Sequence, residues 1–317
     1  MQTLSSYPVD IPQTQLLGVT LCTQQDLIAR EHDYWQAQID AGLSLLTVNG
    51  TSLQDAILTQ AVRLGVWRTA DRLVSSFANG NWCDSEEYYR VPALAPDQVF
   101  TADFSDLFAQ IKRAQTHDRV LKVIIPGPLT FLYLSRLSGH DDAMPSHPAT
   151  GTLAWLDALI PVYAQLFDLL QASGVRWVQI DEPILVLSLP QIWKNAFERV
   201  YHLLQRRDLG LILASYAGTL GENLNLACHL PVAGLHIDIT CEAPHQRFWQ
   251  IVIDHLPAHK ILSLGIISEH LAQTDDQISS PHLQHTISQA KRKLKDRLWL
   301  ASRTAHKHMP DHTAYGY

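Results

Sequence analysis

Cysteine is scarce in this chain. Four occur in 317 residues, Cys22, Cys83, Cys228 and Cys241, and none stands in C-x-x-C spacing. A chain of this length buries a core without covalent staples, so the thiols are read as reduced and the compartment as cytoplasmic. Charge is also sparse, at 17% of residues, with a net charge of -7 and a pI near 6.1. That balance argues against nucleic acid or an anionic membrane as partner. No block of like charge is long enough for a tail. Lys291-Arg292-Lys293 reads as the solvated face of a helix. Long apolar runs are missing too. No stretch of 18 apolar residues exists, so no membrane span is expected. Met1 to Ile11 has neither a basic n-region nor an apolar h-region, so no signal peptide is expected. No G-x-G-x-x-G, Walker A or G-x-S-x-G pattern opens a helix, which leaves nucleotide binding and elbow-type nucleophiles without support.

What is present is a core. Hydrophobic residues make up 46% of the chain. Short apolar runs alternate with helical periodicity along nearly its whole length. Strands are expected at 15–19, 44–48, 121–125, 177–180, 209–216, 234–240, 260–267 and 297–302. Helices are expected near 24–42, 51–65, 104–116, 129–137, 153–173, 197–205, 224–230, 249–255 and 281–295. Strand–helix alternation calls for a parallel sheet, and eight such units in roughly 290 residues suit a single (β/α)8 TIM barrel. The barrel is taken to span 1–317, with 303–317 a polar, His-rich tail.

The chemistry-bearing stretch is Trp177-Val178-Gln179-Ile180-Asp181-Glu182-Pro183. An apolar strand runs into two adjacent carboxylates, and a proline stops it. Barrels keep their chemistry at the carboxyl ends of strands. In Gly234 to Thr240, His236, Asp238 and Thr240 share one face. Asp181, Glu182 and Asp238 are therefore the candidate catalytic residues, with His236 beside them. The competing reading is structural: rim acids anchor loops, and His236 with Asp238 forms a satisfied buried pair. Trp177 and Trp299 read as packing, and Gly127-Pro128 as a strand-to-helix turn. Of 16 histidines, 11 lie from His229 onward, yet no metal site is expected. Pro257 separates His255 from His259, and His282 with His285 has no third ligand at metal spacing. The loop from Ser138 to Thr150, which holds two Asp and two His, reads as an exposed connection.

Several blocks, in order, resemble the N-terminal barrel of cobalamin-independent methionine synthase. They are Leu17-Gly18, Tyr34-Trp35, Tyr89-Arg90-Val91-Pro92, Gly127 to Leu132, Trp177 to Pro183, Leu230 to Asp238, Lys260 to Gly265 and Arg297 to Ser302 with His308 and Pro310. The family has two barrels. Its catalytic zinc, with His, Cys and Glu ligands, lies in the C-terminal one, where homocysteine and most of the methyl-folate also bind. The resemblance covers about half of the family's length, and no His-x-Cys pair occurs here. It also implies basic residues that hold the folate's polyglutamate tail, but Gln25, Asp26, Leu27 and Ile28 stand at the Arg-Glu-Leu-Lys motif and Asn81 at a further lysine. Neutral side chains cannot hold several carboxylates as Lys or Arg does, so those contacts do not carry over. Arg303-Thr304-Ala305 replaces a Ser-Cys-Ser run.

These observations support three readings. The first is a barrel associated with methionine biosynthesis that is not catalytic without a zinc-bearing C-terminal barrel as partner, with no cofactor of its own. The second is an independent enzyme that acts on a small molecule with the rim carboxylates, one of them a base of raised pKa in a closed polar pocket. The third is a module that binds folates or thiols.

Overall fold

The computed structural model describes residues 24–50, 53–66, 74–75, 88–89, 92–137, 150–216, 218–239, 248–267 and 281–302. Seven strands form one parallel sheet: β1 (Leu45–Val48), β2 (Val120–Pro126), β3 (Trp177–Asp181), β4 (Gly210–Ser215), β5 (Gly234–Asp238), β6 (Ile261–Ile267) and β7 (Leu298–Ser302). Their spatial order is their chain order, each strand paired in parallel with the next. This is what repeated right-handed β-α-β units produce. The expected first strand, 15–19, lies outside the described residues, as do the loop 138–149, the 303–317 tail and Asn81.

The sheet is curled. Trp177 on β3 and Trp299 on β7 meet edge to face, with ring centroids 4.7 Å apart. Four strand spacings of about 4.8 Å would hold them some 19 Å apart in a flat sheet. Alternate residues on each strand therefore have distinct fates. Leu46, Val48, Val123, Ile125, Val178, Ile180, Leu213 and Ile237 join the main core with the helices. Residues of the other parity line the inner face. At its N-terminal end, Leu45, Trp177 and Ile212, backed by Val120, Ile261 and Trp299, make a separate apolar plug. Gly210 is required there, because a Cβ would come within 2.4 Å of the Trp177 ring.

The helices α1 (Gln24–Asp40), α2 (Leu53–Arg63), α3 (Ser105–Gln115), α4 (Pro128–Leu134), α5 (Leu156–Ala172), α6 (Gln191–Leu204), α7 (Leu224–His229), α8 (Phe248–His255) and α9 (Pro281–Leu294) occupy the expected places. On α5, Leu159, Tyr163, Leu166, Phe167 and Leu170 are all buried, the spacing of a core-facing stripe. The segment Gly151–Ala172 is long and apolar enough to cross a membrane by length and composition alone. Its apolar stripe is spent inside the core. Gly174 ends α5 at φ +80, the left-handed position that favours glycine.

Two boundaries differ from expectation. The helix at 129–137 ends at Leu134, because the Arg136 N–H donates to Pro92 O at 2.8 Å and Arg136–Leu137 pairs with Ala93–Leu94. The helix expected from Phe197 begins earlier, at Gln191, just after Pro190, whose fixed φ suits a helix start. Ion pairs tie neighbouring helices. Arg63 at the end of α2 meets Asp106 in the first turn of α3 at 2.6 Å, and Arg113 of α3 meets Glu31 of α1 at 2.7 Å.

Candidate functional site

The tips of β2, β3 and β4 are laced together by backbone. The Gly127 N–H donates to Asp181 O, and the Glu182 N–H donates to Ala214 O, both at 2.8 Å. Strand parity then sends the two adjacent carboxylates in opposite directions. Glu182 turns out among the helices and is fully buried. Its carboxylate accepts from the N–H of Leu129 (3.2 Å), the N–H and Oγ1 of Thr130 (2.7 and 2.5 Å), and the hydroxyl of Tyr201 (3.2 Å). It thus caps the first turn of α4 and fastens α6 to it, using two of the orphan N–H donors that any helix start presents. Gly127 leaves room for this. A Cβ there would lie 2.0 Å from Glu182 Oε1. Burial pushes the Glu182 carboxyl up to about 7, and these donors pull against that rise.

Asp181 turns inward. Its carboxylate accepts from Gln179 Nε2 at 2.8 Å and from the Tyr216 hydroxyl at 3.3 Å. Gln179 Oε1 in turn accepts from Lys122 Nζ at 2.5 Å. Lys122, Gln179 and Asp181 thereby form a buried relay across β2 and β3. Burial drives the Asp181 carboxyl up to about 6 and the Lys122 ammonium down to about 7, each charge partly supporting the other. Two strands away, His236 Nε2 lies 3.3 Å from Asp238 Oδ1, and its Nδ1 lies 2.9 Å from Ser263 Oγ. Both residues are buried. Tyr216 is close enough to feel the charges of Asp181 and Asp238 together, which drive its hydroxyl well up, after burial as the largest cause.

Of the expected site residues, Asp181 and Asp238 therefore share the inner face with His236, whereas Glu182 does not. Both acids of the adjacent pair have raised values, not one alone. Lys122, Gln179, Tyr216, Ser263, Thr130 and Tyr201 escaped sequence reading. Lys122 and Gln179 carried a usable signal, since each is a polar residue at inward parity in an otherwise apolar strand. The partners of Glu182 carried none, because they come from helices far away in the chain. Asn49 follows the end of β1. It takes φ +61, donates its Nδ2 to Ile124 O at 2.6 Å and accepts from Arg63 Nη2 at 3.1 Å.

A catalytic zinc needs three protein ligands and an open position. Among the described residues no group of three His, Cys, Asp or Glu could hold a metal. Both ring nitrogens of His236 face other side chains, and Cys228 is buried in the core. The described residues do not fit zinc. The side chains of Gln25 and Ile28 lie outside the described residues. A cleft of about 500 Å³ opens at the other end of the strands, beside Trp177 and Gly210.

A model of the cobalamin-independent synthase N-terminal domain matches residues 20–289. Three similar relatives are 5-methyltetrahydropteroyltriglutamate–homocysteine methyltransferases from three strains of Coxiella burnetii. Each is 37% identical over 309 residues, which is 90% of this chain but 38% of the relative. The chain thus spans well under half of the length of the curated relatives it matches. A B12-independent methionine synthase from Shewanella sp. W3-18-1, solved with selenomethionine, superposes with a TM-score of 0.62 at 14% identity, covering 95% of this chain and 87% of that one. A methyltransferase from Methanosarcina mazei superposes with a TM-score of 0.52 at 11% identity, covering 96% and 91%. These two likenesses speak for the fold alone. The domain match and the 37% identity across nine-tenths of the sequence make this chain a member of the cobalamin-independent synthase N-terminal domain family.

Proposed function

We propose that this chain is the metal-free barrel of a methionine-forming methyl transfer system. It would work beside a zinc-bearing C-terminal barrel and perform no methyl transfer from methyl-folate to homocysteine by itself. The extent of the match carries this reading: 90% of this chain aligns with 38% of each methyltransferase relative. The placement of Glu182 supports it. A carboxylate already accepting from four donors of α4 and α6 is poorly placed to take a proton from substrate. The scarcity of cysteine and its lack of C-x-x-C spacing support a cytoplasmic setting for this work.

The test is direct. The purified chain is assayed for methyl transfer alone, and again with a zinc-loaded C-terminal barrel of the cobalamin-independent methionine synthase family. The expected result is no transfer alone and a rate above that of the C-terminal barrel once the two are combined. Transfer by the chain alone would overturn the proposal. A pull-down from the native host is expected to recover a zinc-bearing C-terminal barrel protein.

A second reading rests on the inner face. Asp181 near 6 and Lys122 near 7, with Tyr216 and His236 close by, are groups suited to proton transfer near neutrality. In that case the barrel would bind a folate, a thiol or another small molecule at Asp181 and Asp238. Thermal-shift measurements with folates and thiols separate the two, since only a binder gains stability as the ligand concentration is raised.

We also infer that the curled sheet closes into a single (β/α)8 barrel. The support is the curl that already brings Trp299 against Trp177.

A further inference from the structure

We propose that the cleft at the N-terminal ends of β3, β4 and β5 binds a small aromatic anion, a flat ring that carries one acidic group. Its volume of about 500 Å³ falls in the range of small-molecule sites. It lies roughly 13 Å from Asp181, four residues along the same strand, so it is distinct from the inner-face groups.

The floor is apolar and rigid. Trp177, Leu209, Pro231 and Ala233 contribute to it. The Trp177 ring rests against Gly210, where a Cβ would approach within 2.4 Å, and Trp299 packs edge-on against it at 4.7 Å. The indole is buried, 4% exposed, so it backs the floor, and the half-buried Pro231 and Ala233 are the surface a flat ring would meet, at little cost in side-chain entropy on binding.

The rim is cationic. Arg176, Arg206 and Arg207 line it against one carboxylate, Asp208. Arg206 is committed elsewhere, donating to Asp168 Oδ1 at 2.6 Å and to the carbonyls of Ala164 and Leu203. Arg176 and Arg207 are exposed, and their guanidinium groups enter no hydrogen bond or ion pair among the described residues. On a chain of net charge -7, this is a local reversal of sign beside an apolar floor. The planar guanidinium fork matches the oxygens of a carboxylate, sulfonate or phosphate, which fixes the acidic end of the ligand.

Isothermal titration of the full chain with 1-naphthoate tests this, with inorganic phosphate and 1-naphthylmethanol as the two half-ligands. Saturable naphthoate binding is expected, with both half-ligands at least tenfold weaker. The exposed double substitution Arg176→Ser/Arg207→Ser should leave the fold intact and weaken naphthoate about tenfold or more, as loss of two exposed charge contacts predicts. Ala233→Trp, which fills the floor, should abolish binding while the circular dichroism spectrum is retained. The proposal is overturned if naphthoate shows no saturation up to its solubility limit, or if it binds the double-serine variant as tightly as the parent chain. Binding of phosphate as tight as that of naphthoate would also overturn it, since the ring would then contribute nothing.

Discussion

At Glu182, four donors converge on two oxygens with no water-facing side. Truncation there removes the acceptor and strands the donors. Glu182→Ala is therefore expected to cost about 3–5 kcal/mol, measured by urea unfolding. The titration of the same groups has a definite sign. The folded values of Asp181, about 6, and Glu182, about 7, lie above the ordinary 3.8 and 4.5. The folded chain holds these protons more tightly than the unfolded chain does. Their contribution to stability is complete below pH ~4 and is lost as the pH rises through about 6 and about 7. Lys122 runs the other way. Its value falls from 10.5 to about 7, so its contribution is present above pH ~10.5 and is lost as the pH falls through about 7. Glu182→Gln removes one of the carboxylate titrations. Its stability–pH curve from about 4 to 7 is expected to be flatter than that of the parent chain, by unfolding at several pH values.

The first turn of α4 is held by an interlocking pair, the Glu182 carboxylate and the bare Cα of Gly127. Gly127 has an ordinary φ of -71, so its role is one of space and not of backbone strain. A methyl group at 127 would have to displace the carboxylate, and Gly127→Ala is expected to cost about 3 kcal/mol. The two residues act through the same contact. In the double-mutant cycle, Gly127→Ala should therefore cost much less in a Glu182→Ala background, a coupling of at least about 1 kcal/mol. The link between α2 and α3 is weaker. Asp106 has 55% of its side chain in solvent but Arg63 only 5%, so Asp106→Ala strands a buried guanidinium and should cost about 1–3 kcal/mol in the same measurement.

At the scale of the whole molecule, the curl of the sheet decides how its ends relate. If the sheet closes between β7 and β1, the amides of β1 gain partners on both sides. Hydrogen exchange should then find all of β1 protected to nearly the level of Leu211 and Leu213 in β4, and rapid exchange within β1 would rule out closure. The same geometry separates two kinds of surface. The inner-face acids sit at the C-terminal end of the strands, and the arginine-rimmed cleft sits at the other. In barrels the first end is the seat of chemistry, and the second bears mainly on stability. A ligand in the cleft would therefore be expected to raise the melting temperature without altering groups near Asp181.

The sequence by itself determined the element order, the parallel sheet and the family. Period-two apolar runs, helical stripes and the blocks from Gly127 to Ser302 are local properties, and local properties survive without knowledge of distant contacts. It also placed Asp181, Glu182 and Asp238 at strand ends. It could not separate the roles of two adjacent carboxylates, because their fates depend on what each face of β3 meets. Parity sends one side chain to the inner face of the curled sheet and the other out among the helices, but Leu129, Thr130 and Tyr201 reach Glu182 only when α4 and α6 have packed. The relay that ends on Asp181 likewise joins Lys122 to Gln179, 57 residues apart in the chain. The charges and their hydrogen bonds were written into the residue types. Which of them share a low-dielectric interior, and so which titrate near neutrality, was decided by tertiary packing alone.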